Sequence, residues 1–314
     1  MSEEKKGVVV VGSINMDLVA YTKRIPAEGE TVIGSDFQTH PGGKGANQAV
    51  AVARLGLPVA MIGRLGNDAF GMQLREHLQS EGVDVTGVAT SQCNSGVAVI
   101  VVSEAGENCI VITPGANALL TPEDLDTNIE VLKAAGIVLT QLEIPIETVQ
   151  HLAMICKREG VPLILDPAPA RQLPDGLLEN VDWFTPNETE AAFFIGDATA
   201  DSRQPARMAE TLLRKGIRGV VLKMGSRGAY IASRNGLGAS LKPFPVQVVD
   251  TTAAGDAFNG AFATALLMKK EPVESARFAA AAAALSVTRA GAQPSMPRMA
   301  EVEQILAGAG ANES

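Results

Sequence analysis

From residue 136 onward, short apolar runs alternate with stretches of helical spacing. The runs predict strands over 136–142, 162–166, 181–185 and 219–223, and the spacing predicts helices over 147–159 and 204–215. Short strands that are apolar on both faces, bounded by Gly and Pro and separated by helices, imply a parallel sheet covered on both sides. The N-terminal third reads differently. After an apolar strand at 8–11, short strands are expected over 17–22, 30–39, 96–103 and 109–113, with 104–108 as a hairpin loop. Helices are expected at 46–55 and 70–81. The pattern predicts a small β subdomain inserted into a larger α/β body.

Local signals add detail. Thr121-Pro122-Glu123-Asp124 offers a capping hydroxyl, a first-turn proline and acids at the positive end of a helix. The alanine run 279–284 reads as a small-residue packing face. An apolar, strand-like segment at 244–249 leads into a helix expected to reach about residue 268, and the Gly/Ala/Asn-rich tail 307–314 is expected to fray.

The 314 residues carry 35 acidic and 26 basic side chains, a formal net charge of −9. That balance argues against a nucleic-acid partner, because phosphate backbones are bound by basic surfaces. The longest uncharged stretch, 85–103, is interrupted by polar residues, so no membrane span is predicted. The N-terminus lacks the apolar core of a secretory signal. Cys93, Cys109 and Cys156 have no paired spacing, which suits reduced thiols in a cytoplasm. His40, His77 and His151 are too scattered for a metal cluster, and His77 and His151 fall on predicted helices where a surface or packing role is expected.

Four stretches could carry chemistry. Asp250-Thr251-Thr252-Ala253-Ala254-Gly255-Asp256 enters a helix through small residues, leaving backbone N–H groups as an anion site. Asp256 there is either an N-terminal cap or a general base beside that site. Pro41-Gly42-Gly43-Lys44-Gly45-Ala46-Asn47-Gln48 is a glycine-rich turn opening a helix. It is neither Walker A nor the dinucleotide fingerprint, since Gln38, Gly45 and Gln48 stand where those motifs need other residues. It suits close approach to a small polar ligand, with Lys44 and Asn47 as donors, or a tight turn alone. Gly12-Ser13-Ile14-Asn15-Met16-Asp17 lies just past the first strand, where α/β sheets gather ligands. Thr185-Pro186-Asn187-Glu188-Thr189-Glu190 is either a capped helix start or a Mg²⁺- or phosphate-facing segment.

Together these stretches resemble, from about Val8 to Pro297, the ribokinase branch of the PfkB carbohydrate kinase family. The resemblance implies a single ribokinase-like α/β domain over 1–314: a central, mostly parallel, Rossmann-like sheet flanked by helices, with a small β-sheet lid from about 15–40 and 95–114. It implies ATP-dependent phosphorylation of D-ribose at its 5-hydroxyl, in the cytoplasm, by a homodimer joined through the lids. By position, Asp256 is the catalytic base and Ala253, Ala254 and Gly255 form the anion hole. Asn15, Asp17, Gly43, Lys44, Asn47 and Glu143 hold the sugar. Asn187, Lys223, Gly225, Ser226, Gly228 and Gly255 hold ATP, and Glu190 acts on Mg²⁺ through water. Asp250, Thr252, Ser286, Arg289, Gly291 and Ser295 match a K⁺ site, several through backbone carbonyls. Lys223 departs from the family pattern, standing where a small hydroxyl residue is expected near the nucleotide, as does Ala280, where a polar side chain is frequent near adenine. The alternatives are a kinase of deoxyribose or another pentose, and a non-catalytic sugar or nucleotide sensor on the same fold.

Overall fold

The computed structural model describes residues 7–196 and 204–311. Elements are numbered in chain order. The larger sheet has nine strands: β1 (Val8–Val11), β4 (Val59–Gly66), β5 (Asp84–Ser91), β8 (Ile137–Thr140), β9 (Leu163–Leu165), β10 (Trp183–Phe184), β11 (Gly219–Lys223), β12 (Ala229–Ser233) and β13 (Gly238–Leu241). Their spatial order is β13-β12-β11-β10-β9-β8-β1-β4-β5, parallel except for the antiparallel pairs β11/β12 and β12/β13. The smaller sheet holds β2 (Asn15–Thr22), β3 (Asp36–Gly42), β6 (Gly96–Ser103) and β7 (Asn108–Thr113) in the order β3-β2-β6-β7.

The helices are α1 (Lys44–Arg54), α2 (Ala69–Ser80), α3 (Pro122–Thr127), α4 (Ile129–Ala134), α5 (Ile146–Glu159), α6 (Glu188–Ile195), α7 (Pro205–Leu213), α8 (Ala254–Leu267), α9 (Pro272–Ser286) and α10 (Met299–Ala311). Strand alternation divides the core between the two faces of the sheet. Val8 and Val10 of β1 pack with α1, α8 and α9 in one apolar cluster; Val9 and Val11 pack with α5 and α7 in another. Gly260 lets α8 lie close to α1: a Cβ there would come within 2.6 Å of Ala51 Cβ. β1 lies between β4 and β8, which the chain reaches on opposite sides, so its C-terminal end is a topological switch point and opens a crevice.

Most expected elements are present with trimmed ends, and strands 8–11, 96–103 and 219–223 match in full. Thr121 and Asp124 form the capping box of α3. Three expectations need correction. The strand expected at 30–39 begins only at Asp36, because 23–35 forms a loop closed by the turn Glu30 N–H to Ala27 O, 3.0 Å, with Gly29 at φ 73°. No strand forms at 244–249: Val248 and Val249 are exposed, with no neighbouring strand to bury them. The tail does not fray from 307, since α10 continues to Ala311; residues beyond it lie outside those described. Strands β4, β5, β12 and β13 were not anticipated. No helix among the described residues is long and apolar enough to cross a membrane.

Candidate active site

The site lies in the crevice at the end of β1, between the root of the small sheet, α1 and the start of α8. Asp256, in the first turn of α8, is 4% exposed and is held from α1 by two amides: Asn47 Nδ2 donates to Oδ2 at 3.0 Å and Gln48 Nε2 to Oδ1 at 3.1 Å. Burial pushes its carboxyl up to about 6; the nearby Asp166 adds to this, while Lys44 and the two amides work against it. A surface cap has no reason to be buried at such cost, so the geometry favours the general-base reading. The preceding Ala253 is left-handed at φ 58°, an unusual conformation for a residue with a Cβ. The Ala254 N–H turns back to Thr251 O at 3.3 Å, so of the three expected anion-hole residues it is the one whose donor is already engaged.

The sugar-side residues converge from three segments. Asp17 on β2 has its carboxyl raised to about 7, first by burial and then by Glu143 and Asp256, with Lys44 opposing. Lys44 is half-buried, and although burial works against its charge, Asp256, Asp166, Glu143 and Glu190 together hold its ammonium well above the usual lysine range. Glu143 accepts from Ser13 Oγ at 2.5 Å and from Lys44 N–H at 3.2 Å. Gly43, at φ 87°, brings the turn so close that a Cβ would lie 2.7 Å from Asn15 N. Asn15, Asp17, Gly43, Lys44, Asn47, Glu143 and Asp256 therefore do meet in one place.

Several polar residues there were missed by sequence reasoning. Asn117, buried after β7, donates to Asn15 Oδ1 at 2.7 Å, accepts from Ile14 N–H at 2.9 Å and donates to Ile14 O at 3.1 Å. Asn117→Ala removes a partner from three buried groups and is expected to cost about 2–4 kcal/mol and raise the sugar KM, checked by urea denaturation and steady-state kinetics. Asp166, at the end of β9, accepts from Gln48 Nε2 at 3.0 Å and pairs with Lys223 Nζ at 3.0 Å. Its position at the C-terminal end of a predicted parallel strand was the available signal. Lys223 turns toward the entry of α8: its Nζ lies 3.4 Å from where a Cβ on Gly255 would stand.

Asn187 and Glu190 cap α6 reciprocally: Asn187 Oδ1 accepts from Glu190 N–H at 2.8 Å, and Glu190 accepts from Asn187 N–H at 2.8 Å and Nδ2 at 2.9 Å. The bland reading of this segment is thus realised, yet Glu190 remains in the electrostatic reach of Lys223, Asp166 and Lys44, and burial raises its carboxyl. Among the described residues no three His, Cys, Asp or Glu side chains surround a common point suited to a metal. Both oxygens of Glu190 already accept from Asn187, a donor arrangement that fits contact with Mg²⁺ through water better than direct chelation. Asn187 bridges Lys223 between β10 and β11, and the loop through Gly225 (φ 54°), Ser226 and Gly228 (φ 86°) follows at once, with open space where a Gly225 side chain would go. Ala280 lies half-buried on α9.

Asp250 joins two loops. Its Oδ1 accepts from Thr252 N–H at 2.9 Å and Oγ1 at 2.7 Å, and its Oδ2 from Gly291 N–H at 2.8 Å; these bonds hold its carboxyl below the usual range although burial opposes them. Arg289 instead ion-pairs with Glu301, and the hydroxyls of Ser286 and Ser295 donate to Ala283 O at 2.8 Å and Ala292 O at 2.7 Å. The acceptors left at these positions are backbone carbonyls and the lone pairs of the three hydroxyls.

A buried base beside a helix-entry turn, with a polyol-sized set of polar groups on one side and a glycine loop on the other, defines a phosphoryl-transfer site on an α/β fold. A family model described as pfkB family carbohydrate kinase matches residues 5–299, and the chain belongs to that family. It is 43% identical over 303 residues to the ribokinase of Haemophilus influenzae, covering 96% of this chain and 99% of the relative. It is 38% identical over 301 residues to a deoxyribokinase of Salmonella typhi, covering 95% and 98%. The structure of Arabidopsis thaliana ribokinase complexed with ribose and ATP superposes with a TM-score of 0.90 at 39% identity, covering 96% and 99%.

Proposed function

We propose that this protein transfers the γ-phosphoryl group of ATP to the 5-hydroxyl of D-ribose, giving ribose 5-phosphate and ADP. The observation that carries the reading is Asp256: a carboxylate buried at the mouth of α8, beside backbone donors and facing Lys44, Asn47 and Asp17. Its oxygens are aimed by two amides, so the hydroxyl proton has a defined acceptor. The oxygen so activated attacks phosphorus, and the bond to the ADP oxygen breaks. The first turn of α8 stabilises the charge on the moving group. Glu190 would hold Mg²⁺ through water, and the ion would supply charge neutralisation on the phosphate oxygens.

The sugar is held by Asn15, Asp17, Gly43, Lys44, Asn47 and Glu143, and ATP by Asn187, Lys223 and the loop through Gly225, Ser226, Gly228 and Gly255. The carbonyl-rich loops joined by Asp250 take a monovalent cation. A homodimer formed through the small sheet is supported by Ile110, Val111 and Ile112, exposed along the edge strand β7. The unpaired Cys93, Cys109 and Cys156 suit a reducing cytoplasm.

The test is ADP release with D-ribose, ATP and Mg²⁺, with and without K⁺. Turnover of ribose that rises with K⁺ is expected; no turnover above background overturns the reading. The 38% identity to a deoxyribokinase makes 2-deoxyribose the comparison sugar, and kcat/KM for ribose is expected to exceed it.

A further inference from the structure

We propose that Gln293 and His77 are positioning residues that aim the base. Resting on the reading of Asp256 given above, this adds a second shell of control that reaches it from α2.

The argument is one of hydrogen-bond direction. Asn47 can donate to Asp256 only while its amide nitrogen faces the carboxylate, and the reverse orientation would place a carbonyl oxygen against it. What selects the orientation is the other end of the amide: Asn47 Oδ1 accepts from Gln293 Nε2 at 3.1 Å. Gln293 faces the same choice, and its Oε1 lies 2.8 Å from His77 Nε2. A histidine carrying its proton on Nε2 donates there, and that one assignment propagates through two amides to the carboxylate. Gln293 is 1% exposed and Asn47 6%, so neither amide can exchange its partner for water. His77, half-buried on α2, is the open end of the chain.

The turn that carries Gln293 is held in place independently. Arg54, at the end of α1, donates from Nη1 to the carbonyls of Gln293, Pro294 and Met296 at 2.7, 3.1 and 3.2 Å, and is itself gripped by both oxygens of Glu81. Helix α1 thus meets this turn twice, through Asn47 and through Arg54. The turn also lies between Gly291 and Ser295, so the loop proposed to take the monovalent cation is linked to the base through two amide side chains, Gln293 and Asn47.

The groups facing Asp256 are Lys44, Asn47 and Gln48 from α1, Asp166 with its partner Lys223, and Asp17 from β2. Of these, replacing Gln293 touches Asn47 alone and replacing His77 touches none directly, so a change at Asp256 reports the chain. The experiment is the ¹³C carboxyl titration of Asp256 in the ligand-free full-length protein, identified by its loss in Asp256→Asn, run beside ribose kinetics. In Gln293→Met and His77→Leu the midpoint is expected to rise by about half a pH unit or more, since a donor to the charged form is lost. The acid limb of kcat/KM should follow it, with kcat down about tenfold and the ATP KM within about twofold. His77→Gln, which keeps a donor toward Gln293, is expected to behave as the parent protein.

An unmoved midpoint in both variants overturns the proposal, as does a His77→Gln variant as impaired as His77→Leu. Should Gln293→Met not fold, His77→Leu carries the test. A parent protein inactive on ribose but with a midpoint that moves would remove the ribose reading and leave the positioning chain standing.

Discussion

Asp256→Asn lowers ribose turnover by at least ~10²-fold and, at pH 7, makes the protein more stable. The two effects share a cause. The native carboxyl titrates at about 6 against 3.8 for the ordinary group, so keeping it ionised in the empty site works against folding. About two units correspond to about 3 kcal/mol. Asparagine cannot accept from both Asn47 and Gln48, so a net gain on the order of 1–2 kcal/mol is expected. The sign follows from the direction of the shift. Because the folded pKa is raised for an acid, the native state binds more protons than the unfolded state between 3.8 and about 6, and wild-type stability falls as pH rises through that window. The advantage of Asp256→Asn should therefore be complete above about pH 6, shrink as the pH falls through the window and reverse in sign near pH 4, measurable as the difference in urea midpoints. Over the same range kcat/KM of the parent should climb through about pH 6 as the base loses its proton. Asparagine that is neither slower nor more stable would remove the role assigned to this residue.

Gly43→Ala is expected to raise the ribose KM at least tenfold and to cost about 2–4 kcal/mol of stability. At φ 87° any L side chain is strained, and here the added Cβ would also lie 2.7 Å from Asn15 N, 3.0 Å from Ile14 Cα and 3.0 Å from Ser13 O. These are backbone atoms, so no side-chain rotation relieves the contact. The turn must retreat from residues 13–15, taking Lys44 and Asn47 with it, while the segments at β10 and β11 proposed to hold ATP stay in place. Gly56, just past the other end of α1, supplies the control: its φ is 81° but nothing lies within 4 Å of an added Cβ. Gly56→Ala should cost about 1–2 kcal/mol with the ribose KM unchanged. Equal KM values in the two variants would mean that the turn at Gly43 does not set the sugar site.

What could be read in the sequence was local. The helix entry at 250–256, the glycine turn at 41–48 and the capping pair at 187 and 190 each lie within a few consecutive residues, and all are found where expected. Asn117, Asp166 and Gln293 escaped notice, and Gln48 was seen only as a member of the glycine turn, because their partners are distant: Asn117 reaches Ile14 across 103 positions and Gln293 reaches Asn47 across 246. Only the folded chain makes those pairs. The strand expected at 244–249 failed for the converse reason. Its apolar character is real, but a strand needs a neighbour, and β13 ends the sheet before it. Lys223 looked anomalous as an isolated letter; beside Asp166 it is half of an ion pair.

The small sheet grows directly out of the sugar site. Its first rungs pair Asn15 with Gly42 on one side and with Gly96 on the other, so no hinge separates the sheet from residues proposed to grip the substrate. The sheet is therefore rooted in the proposed pocket, and its first rungs are also the wall of that pocket. A substitution at Asn15, Gly42 or Gly96 made to admit a bulkier sugar would disturb the pairing of β2 with its neighbours in the same step, so the room for substrate and the seating of the small sheet cannot be changed separately.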